Sequence, residues 1–281
     1  MPINPDAVGS KGEPSVTSWT SKDSLLYALG VGAGVGELPY TTENSIGIEQ
    51  RALPTQVVTL ADVSGAFGSI GSFNPAMLVH GEQRIELAAE LPPAGQVSTV
   101  AEITAIWDKG KGAVVEITAV STDVATGQHA FTNVMSAFIR GEGGWGGDRG
   151  PSGPRNEAPD RAPDHEVTYR TSPDQALIYR LSGDRNPLHS DPQFAALAGF
   201  DRPILHGLCT YGFTGRALLH TLCDGDAGRF RAMEGRFSSP VFPGEALTIA
   251  MWADDGGAVF QTRGEDGRVV LDSGRVDVDV A

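Results

Sequence analysis

Short motifs in the first half of the chain recur in the same order in the second, on either side of a stretch with almost nothing to bury. Leu25-Leu26-Tyr27-Ala28-Leu29 matches Leu177-Ile178-Tyr179-Arg180-Leu181, and Leu78-Val79-His80-Gly81 matches Ile204-Leu205-His206-Gly207. Pro93-Ala94-Gly95 then matches Pro243-Gly244, and the β-rich runs Ile103 to Trp107 and Ile249 to Trp252 each run into a polar turn, Asp108-Lys109-Gly110 or Asp254-Asp255-Gly256. Between them, Gly, Pro, Arg and Asp dominate from 141 to 163, the composition of a linker. The chain therefore divides into a unit at 1–140, a linker at 141–163 and a second unit at 164–281.

Each half opens with helical signals and continues in strands, which is α+β and not the alternation of a parallel α/β sheet. Ile204 to Leu222 has apolar residues at helical spacing, with Gly207, Gly212 and Gly215 open to close approach by another element. Arg236 to Val278 reads as an antiparallel meander broken by Gly-containing turns, and Arg84 to Ile139 repeats it. A long helix wrapped by a curved antiparallel sheet resembles the hot-dog arrangement, and two copies make a double hot dog.

The charge of −14, from 21 basic and 35 acidic residues, argues against nucleic acid or an anionic membrane surface as partner. No run approaches the roughly 18 apolar residues of a membrane span, and neither terminus reads as a signal peptide or a peroxisomal address. Cys209 and Cys223 lie about four helical turns apart, too far to bridge, and read as reduced, buried thiols. A cytoplasmic location is expected. The His and Cys residues show no short metal-ligand spacing, and GVGAGVGELP from Gly30 follows a helix where a dinucleotide loop would follow a strand, so no metal and no cofactor are expected.

The densest chemistry lies in LSGDRNPLHSDP, Leu181 to Pro192. It sets a carboxylate and an imidazole five residues apart, with Pro187 to open a helical turn and Asn186 or Asp184 to cap it. Taken alone, that spacing describes a capping Asp and a structural His. A paired Asp and His also supply, without metal, the base and acid needed to add water to a conjugated thioester. Gly207, near a helix start, offers a backbone N–H for the negative charge that forms on the thioester oxygen. His206 beside it either makes a structural hydrogen bond or touches substrate.

The run YRLSGDRNPLHSDPQFAALAGFDRPILHGLCTYG, Tyr179 to Gly212, resembles the signature of the hydratase 2 family, the MaoC-like dehydratases. The first half resembles the family's degenerate hot dog in Leu53-Pro54-Thr55, Leu78 to Gly81 and Asp108 to Gly110. The resemblance implies an R-specific hydratase converting trans-2-enoyl-CoA to (3R)-3-hydroxyacyl-CoA, acting as a homodimer. It implies that Asp184 and His189 are catalytic, that Asn186 orders the reacting water and that Gly207 is the oxyanion donor. His80, Gly81, Lys109, Arg185, Pro187, Leu188 and Phe237 would contact the CoA thioester. The first half places Gly32 and Glu37 at the positions of Asp184 and His189, so one chain carries one active site. About 50 residues separate Tyr27 from His80, against fewer than 30 between Tyr179 and His206, and that extra length is the expected place of an acyl-chain tunnel. A hydratase for steroid side-chain or branched enoyl-CoA, and a non-catalytic acyl-CoA-binding scaffold, are the competing readings.

Overall fold

The computed structural model describes residues 3–153 and 155–279. Strand formation follows the sequence pattern closely: in Gly95–Asp108 the residues Val97, Thr99, Ala101 and Ile103 alternate inward with a period of two. Ten strands form one open antiparallel sheet: β1 Ser15–Trp19, β2 Leu78–Leu87, β3 Gly95–Asp108, β4 Gly112–Asp123, β5 His129–Arg140, β6 His165–Arg170, β7 Phe230–Phe237, β8 Ala246–Asp254, β9 Gly257–Arg263 and β10 Val269–Val278. Their spatial order is β1-β3-β4-β5-β2-β7-β10-β9-β8-β6. Adding five to each strand number of the first half gives its mirror partner in the second. The halves meet where β2 pairs with β7, in the register Glu82↔Arg236 to Glu86↔Ala232.

The helices are α1 Ser21–Gly30, α2 Leu38–Thr41, α3 Ser64–Phe67, α4 Gln175–Tyr179, α5 Pro192–Leu197 and α6 Gly207–Leu222. A reciprocal cap between Thr20 and Asp23 starts α1. The helix expected over 204–222 begins at Gly207, because His206 is extended and serves as its N-cap. Every residue from Cys209 to Leu219 is buried, including Arg216, whose charge is paired with Glu37. The glycine face is used as the sequence suggests: a Cβ on Gly212 would lie 2.4 Å from the Val31 side chain, and one on Gly215 2.4 Å from Thr55. Cys209 and Cys223 are free and buried. Among the described residues, no helix is long and apolar enough to cross a membrane.

Two expectations need correction. Leu78–Gly81 and Ile204–Gly207 are not structural counterparts: the first lies in β2, whereas the second leads into α6. In the mirrored topology, the place of α6 in the first half falls to the short 3-10 helix Pro54–Thr59, which packs on α6. The supposed extra length disappears with that register, since Leu78 comes 51 residues after Tyr27 and Phe230 comes 51 after Tyr179. The first half has not gained chain; it has broken its long helix into short pieces, and Val31, Tyr40, Leu53 and Val57 bury against α6 in one core shared with the second half. A smaller core, with Ile3, Ile70, Ile103 and Ile117, fills the space under β3 to β5.

The stretch after Arg140 is also more than a tether. Asp108 accepts backbone N–H bonds from Gly144 and Gly146 as well as from Gly110 in its own turn, and these hold its carboxyl down at about 2. Further on, Arg155 pairs with Glu82 and Asn156 bonds to Glu234, so the segment straps the β2–β7 seam.

Candidate active site

The loop from Gly183 to Ser190 follows α4 and the 3-10 turn Arg180–Ser182 and opens on Gly183, whose φ of 136° lies in a region that side chains resist. The Asp184 carboxylate accepts the Asn186 N–H at 3.0 Å, and the Asn186 side chain accepts the Leu188 N–H at 3.0 Å. Asn186 therefore caps the short turn Pro187–His189, with Pro187 at its first position. That turn carries His189 inward, where it is buried, while Asp184, Arg185 and Pro187 stay exposed and Leu188 is half-buried.

His189 Nδ1 lies 2.9 Å from the Ile204 carbonyl. A carbonyl only accepts, so Nδ1 carries the proton and Nε2 keeps its lone pair for chemistry. Burial lowers the His189 pKa below its usual 6.5, which keeps the ring neutral and basic at neutral pH. His206, wholly buried, stacks on His189 with ring centroids 3.8 Å apart, and its Nε2–H donates to the Asp184 carbonyl at 3.2 Å.

Asp184, His189 and His206 each present a possible ligand atom within 4.8 Å of the others. A metal centre needs lone pairs that converge on one point about 2.0–2.1 Å from each nitrogen. Each of the two stacked rings already spends one nitrogen as a donor, His189 Nδ1 to the Ile204 carbonyl and His206 Nε2 to the Asp184 carbonyl. The donor set thus suits proton transfer better than an ion.

Next to this cluster, Gly207 is the first residue of α6, and its N–H is among the first-turn donors that a helix leaves unpaired. A Cβ there would press on the Phe237 ring at 3.2 Å. Phe237 in turn meets the His80 ring edge-on, with centroids 5.0 Å apart. Gly81 sits at a bulge where β2 slips against β5, and that slip re-aims His80 toward the seam. Burial brings the His80 imidazole down to about 4, against the raising effect of the nearby Asp184 charge. The structure therefore gathers Asp184, Asn186, His189, Gly207, Phe237 and His80 at the junction of the halves, with Gly81 beside them.

Lys109 lies in the β3–β4 turn, where its ammonium group donates to the carbonyls of Arg149 and Pro151. His206 is the residue that sequence reasoning left open; the signal for it was its position directly before a glycine at a helix start. At the mirror position of the site, Glu37 is locked between Arg216 and His220.

Residues 155–274 match the MaoC-like domain family, and residues 18–141 match the MFE-2 hydratase 2 N-terminal domain family. The chain is 50% identical to 3-hydroxyacyl-thioester dehydratase Y of Mycobacterium tuberculosis, over 99% of both chains. It belongs to the MaoC-like hydratase 2 family. Enoyl-CoA hydratase ChsH3 of the same organism is 44% identical over 90% of this chain and 91% of its own. A crystal structure of a MaoC-like dehydratase from Phytophthora capsici superposes with a TM-score of 0.89 at 35% identity, covering 99% of this chain and 98% of that one. Both likenesses, in sequence and in fold, run over essentially the full length of this chain.

Proposed function

We propose that the protein is a hydro-lyase that reversibly adds water across the C2=C3 bond of a trans-2-enoyl-CoA to give the (3R)-3-hydroxyacyl-CoA. The observation that carries this reading is the meeting of an exposed carboxylate and a neutral imidazole with a free lone pair beside an unpaired helix N–H. The relatives' names, a hydroxyacyl-thioester dehydratase and an enoyl-CoA hydratase, support it. In this scheme His189 Nε2 takes a proton from water and Asp184 fixes that water through its other hydrogen. The hydroxide adds to C3 as the C2=C3 electron pair moves onto the thioester oxygen, where the Gly207 N–H holds the charge. The acid/base pair then returns a proton to C2 and the enolate collapses to the product. His80 and Phe237 line the seam through which the thioester reaches these groups.

Purified protein assayed with crotonyl-CoA and with a longer enoyl-CoA, followed by chiral analysis of the product, tests the reading. Formation of the (3R)-hydroxyacyl-CoA is expected. Tight CoA binding without hydration of either substrate would favour a scaffold role. The oxyanion donor has its own test, because proline is tolerated at the first position of a helix and His206 already has the extended backbone (φ −59°, ψ 136°) that a following proline requires. Gly207→Pro should fold and lose kcat by about 10²-fold. Gly207→Ala, which keeps the N–H and only presses on Phe237, should lose distinctly less. Equal losses in the two would show that the N–H is not the acting group.

A further inference from the structure

We infer that His206 is the positioning residue of this site: its imidazole, stacked on His189 and bonded to the Asp184 carbonyl, fixes the two reacting side chains relative to each other and to Gly207. The inference rests on the reading of Asp184 and His189 as the acid/base pair.

Among the described residues, the loop that carries Asp184 and His189 is bonded to the segment before α6 by two hydrogen bonds, and an imidazole makes each of them. His189 donates to the Ile204 carbonyl, and His206 donates to the Asp184 carbonyl. The other hydrogen bonds of the loop among the described residues run within it, such as those of Asp184 to Asn186 and of Asn186 to Leu188, or to its sequence neighbours Arg180 and Asp191. Asp184 is exposed, so packing does little to hold it. Its position depends on the His206 bond.

His206 is itself firmly referenced. As N-cap of α6 it receives the Cys209 and Thr210 N–H bonds on its own carbonyl, and α6 is buried along most of its length. The residue that holds Asp184 therefore immediately precedes Gly207, the proposed oxyanion donor. One backbone segment sets the acid/base pair and the charge-holding N–H in a common frame, the geometry that rapid addition of water requires.

A purely packing role accounts poorly for the ring. His206 Nδ1 is buried and has no hydrogen-bond partner, a destabilising arrangement that a phenylalanine of similar size would avoid. Burial brings the His206 pKa down to about 4, with the neighbouring His189 acting in the same direction. The ring is thus neutral and adds no positive charge when His189 becomes an imidazolium. The charged and titratable groups around the pair are Asp184 and Arg180 of the loop and its preceding turn, His80 of β2 beside Asp184, and Tyr179 of α4, whose ring centroid lies 4.9 Å from that of His206.

The test uses His206→Phe and His206→Gln in the full chain, with crotonyl-CoA as substrate. Phe keeps a ring against His189 and loses the bond to Asp184; kcat should fall by about 10²-fold, with KM within about threefold of the parent. Gln keeps an N–H for the Asp184 carbonyl and should recover about tenfold of that loss. Because Gln uncovers His189 and lets water reach it, the acid limb of kcat/KM should move to higher pH in that variant. Parental kcat in folded His206→Phe would overturn the inference. So would equal losses in Phe and Gln with the acid limb unmoved, or failure of both variants to fold, since either outcome describes a structural residue. If Phe alone fails to fold, the limb of the Gln variant decides. Asp184→Asn, assayed alongside, separates the two levels: retained turnover there removes the acid/base reading itself, whereas its loss beside unaffected His206 variants removes only the positioning role.

Discussion

Asp184→Asn and His189→Ala should each lower kcat by about 10³–10⁴-fold in protein that still unfolds at the parental temperature. General acid–base groups contribute up to about 10⁴-fold, and here two of them act on the same water and the same proton. The double variant should lose little more than either single one, because residues acting as a unit are not additive. Neither change should damage the fold. Asp184 is exposed, and Asn retains an oxygen for the Asn186 N–H. His189 is buried, but its bonded partner is a single carbonyl, that of Ile204, three residues before a well-packed helix. The pH profile supplies a second readout. Burial lowers the His189 pKa below 6.5, so the acid limb of kcat/KM should lie below that pH and should be absent from the residual activity of His189→Ala. Near-parental turnover in either single variant would remove that residue from the chemistry.

The residues of this centre were legible in the sequence because they are local. Asp184, Asn186, Pro187 and His189 lie within six positions, and the capping of a short turn by Asn186 follows from residue type alone. Strands were legible for a similar reason, since period-two burial in β3 or β4 is written directly into the order of residues. What escaped depends on contacts across the chain. Pairing Leu78–Gly81 with Ile204–Gly207 looked sound as strings, yet a strand and a helix start can share four residues when the surrounding contacts decide the conformation. The breaking of the first half's long helix is invisible locally, because α6 supplies the surface on which Pro54–Thr59 packs. His206 could be seen as unusual, but its role lies in a ring stack and a bond to Asp184, 22 residues away. The sequence shows Lys109 in a turn but not its partners, since the carbonyls that take its hydrogens lie 40 and 42 residues later.

Arg216→Met should destabilise the protein by about 3–5 kcal/mol without changing the chemistry at Asp184 and His189. Arg216, on α6, is almost wholly buried and donates to both oxygens of Glu37 and to the Val31 carbonyl, while its guanidinium lies over the Tyr169 ring at 4.5 Å. His220, one turn along, reaches the same carboxylate. Glu37 stands at the sequence position that mirrors His189, so the first half has an ion-pair cluster there, bonding the Val31–Glu37 stretch to α6. Removing one partner leaves a largely buried carboxylate short of its strongest donor, the situation in which broken ion pairs cost most. For a chain of this size each kcal/mol corresponds to roughly 2–4 °C in Tm, so calorimetry should show a drop of about 6–20 °C. Glu37→Gln in the Arg216→Met background should recover part of it, because the orphaned charge is then gone. The same cluster sets a pH dependence. Burial alone would raise the Glu37 carboxyl, but the hydrogen bonds from His220 and Arg216, with the Arg216 charge, bring it down to about 2 from the usual 4.5. Its contribution is therefore complete above pH 4.5 and fades as the pH falls toward 2. The difference in stability between parent and Glu37→Gln should shrink over that interval, and a difference that stays constant from pH 6 to pH 3 would show that the carboxylate is not what holds this half against α6.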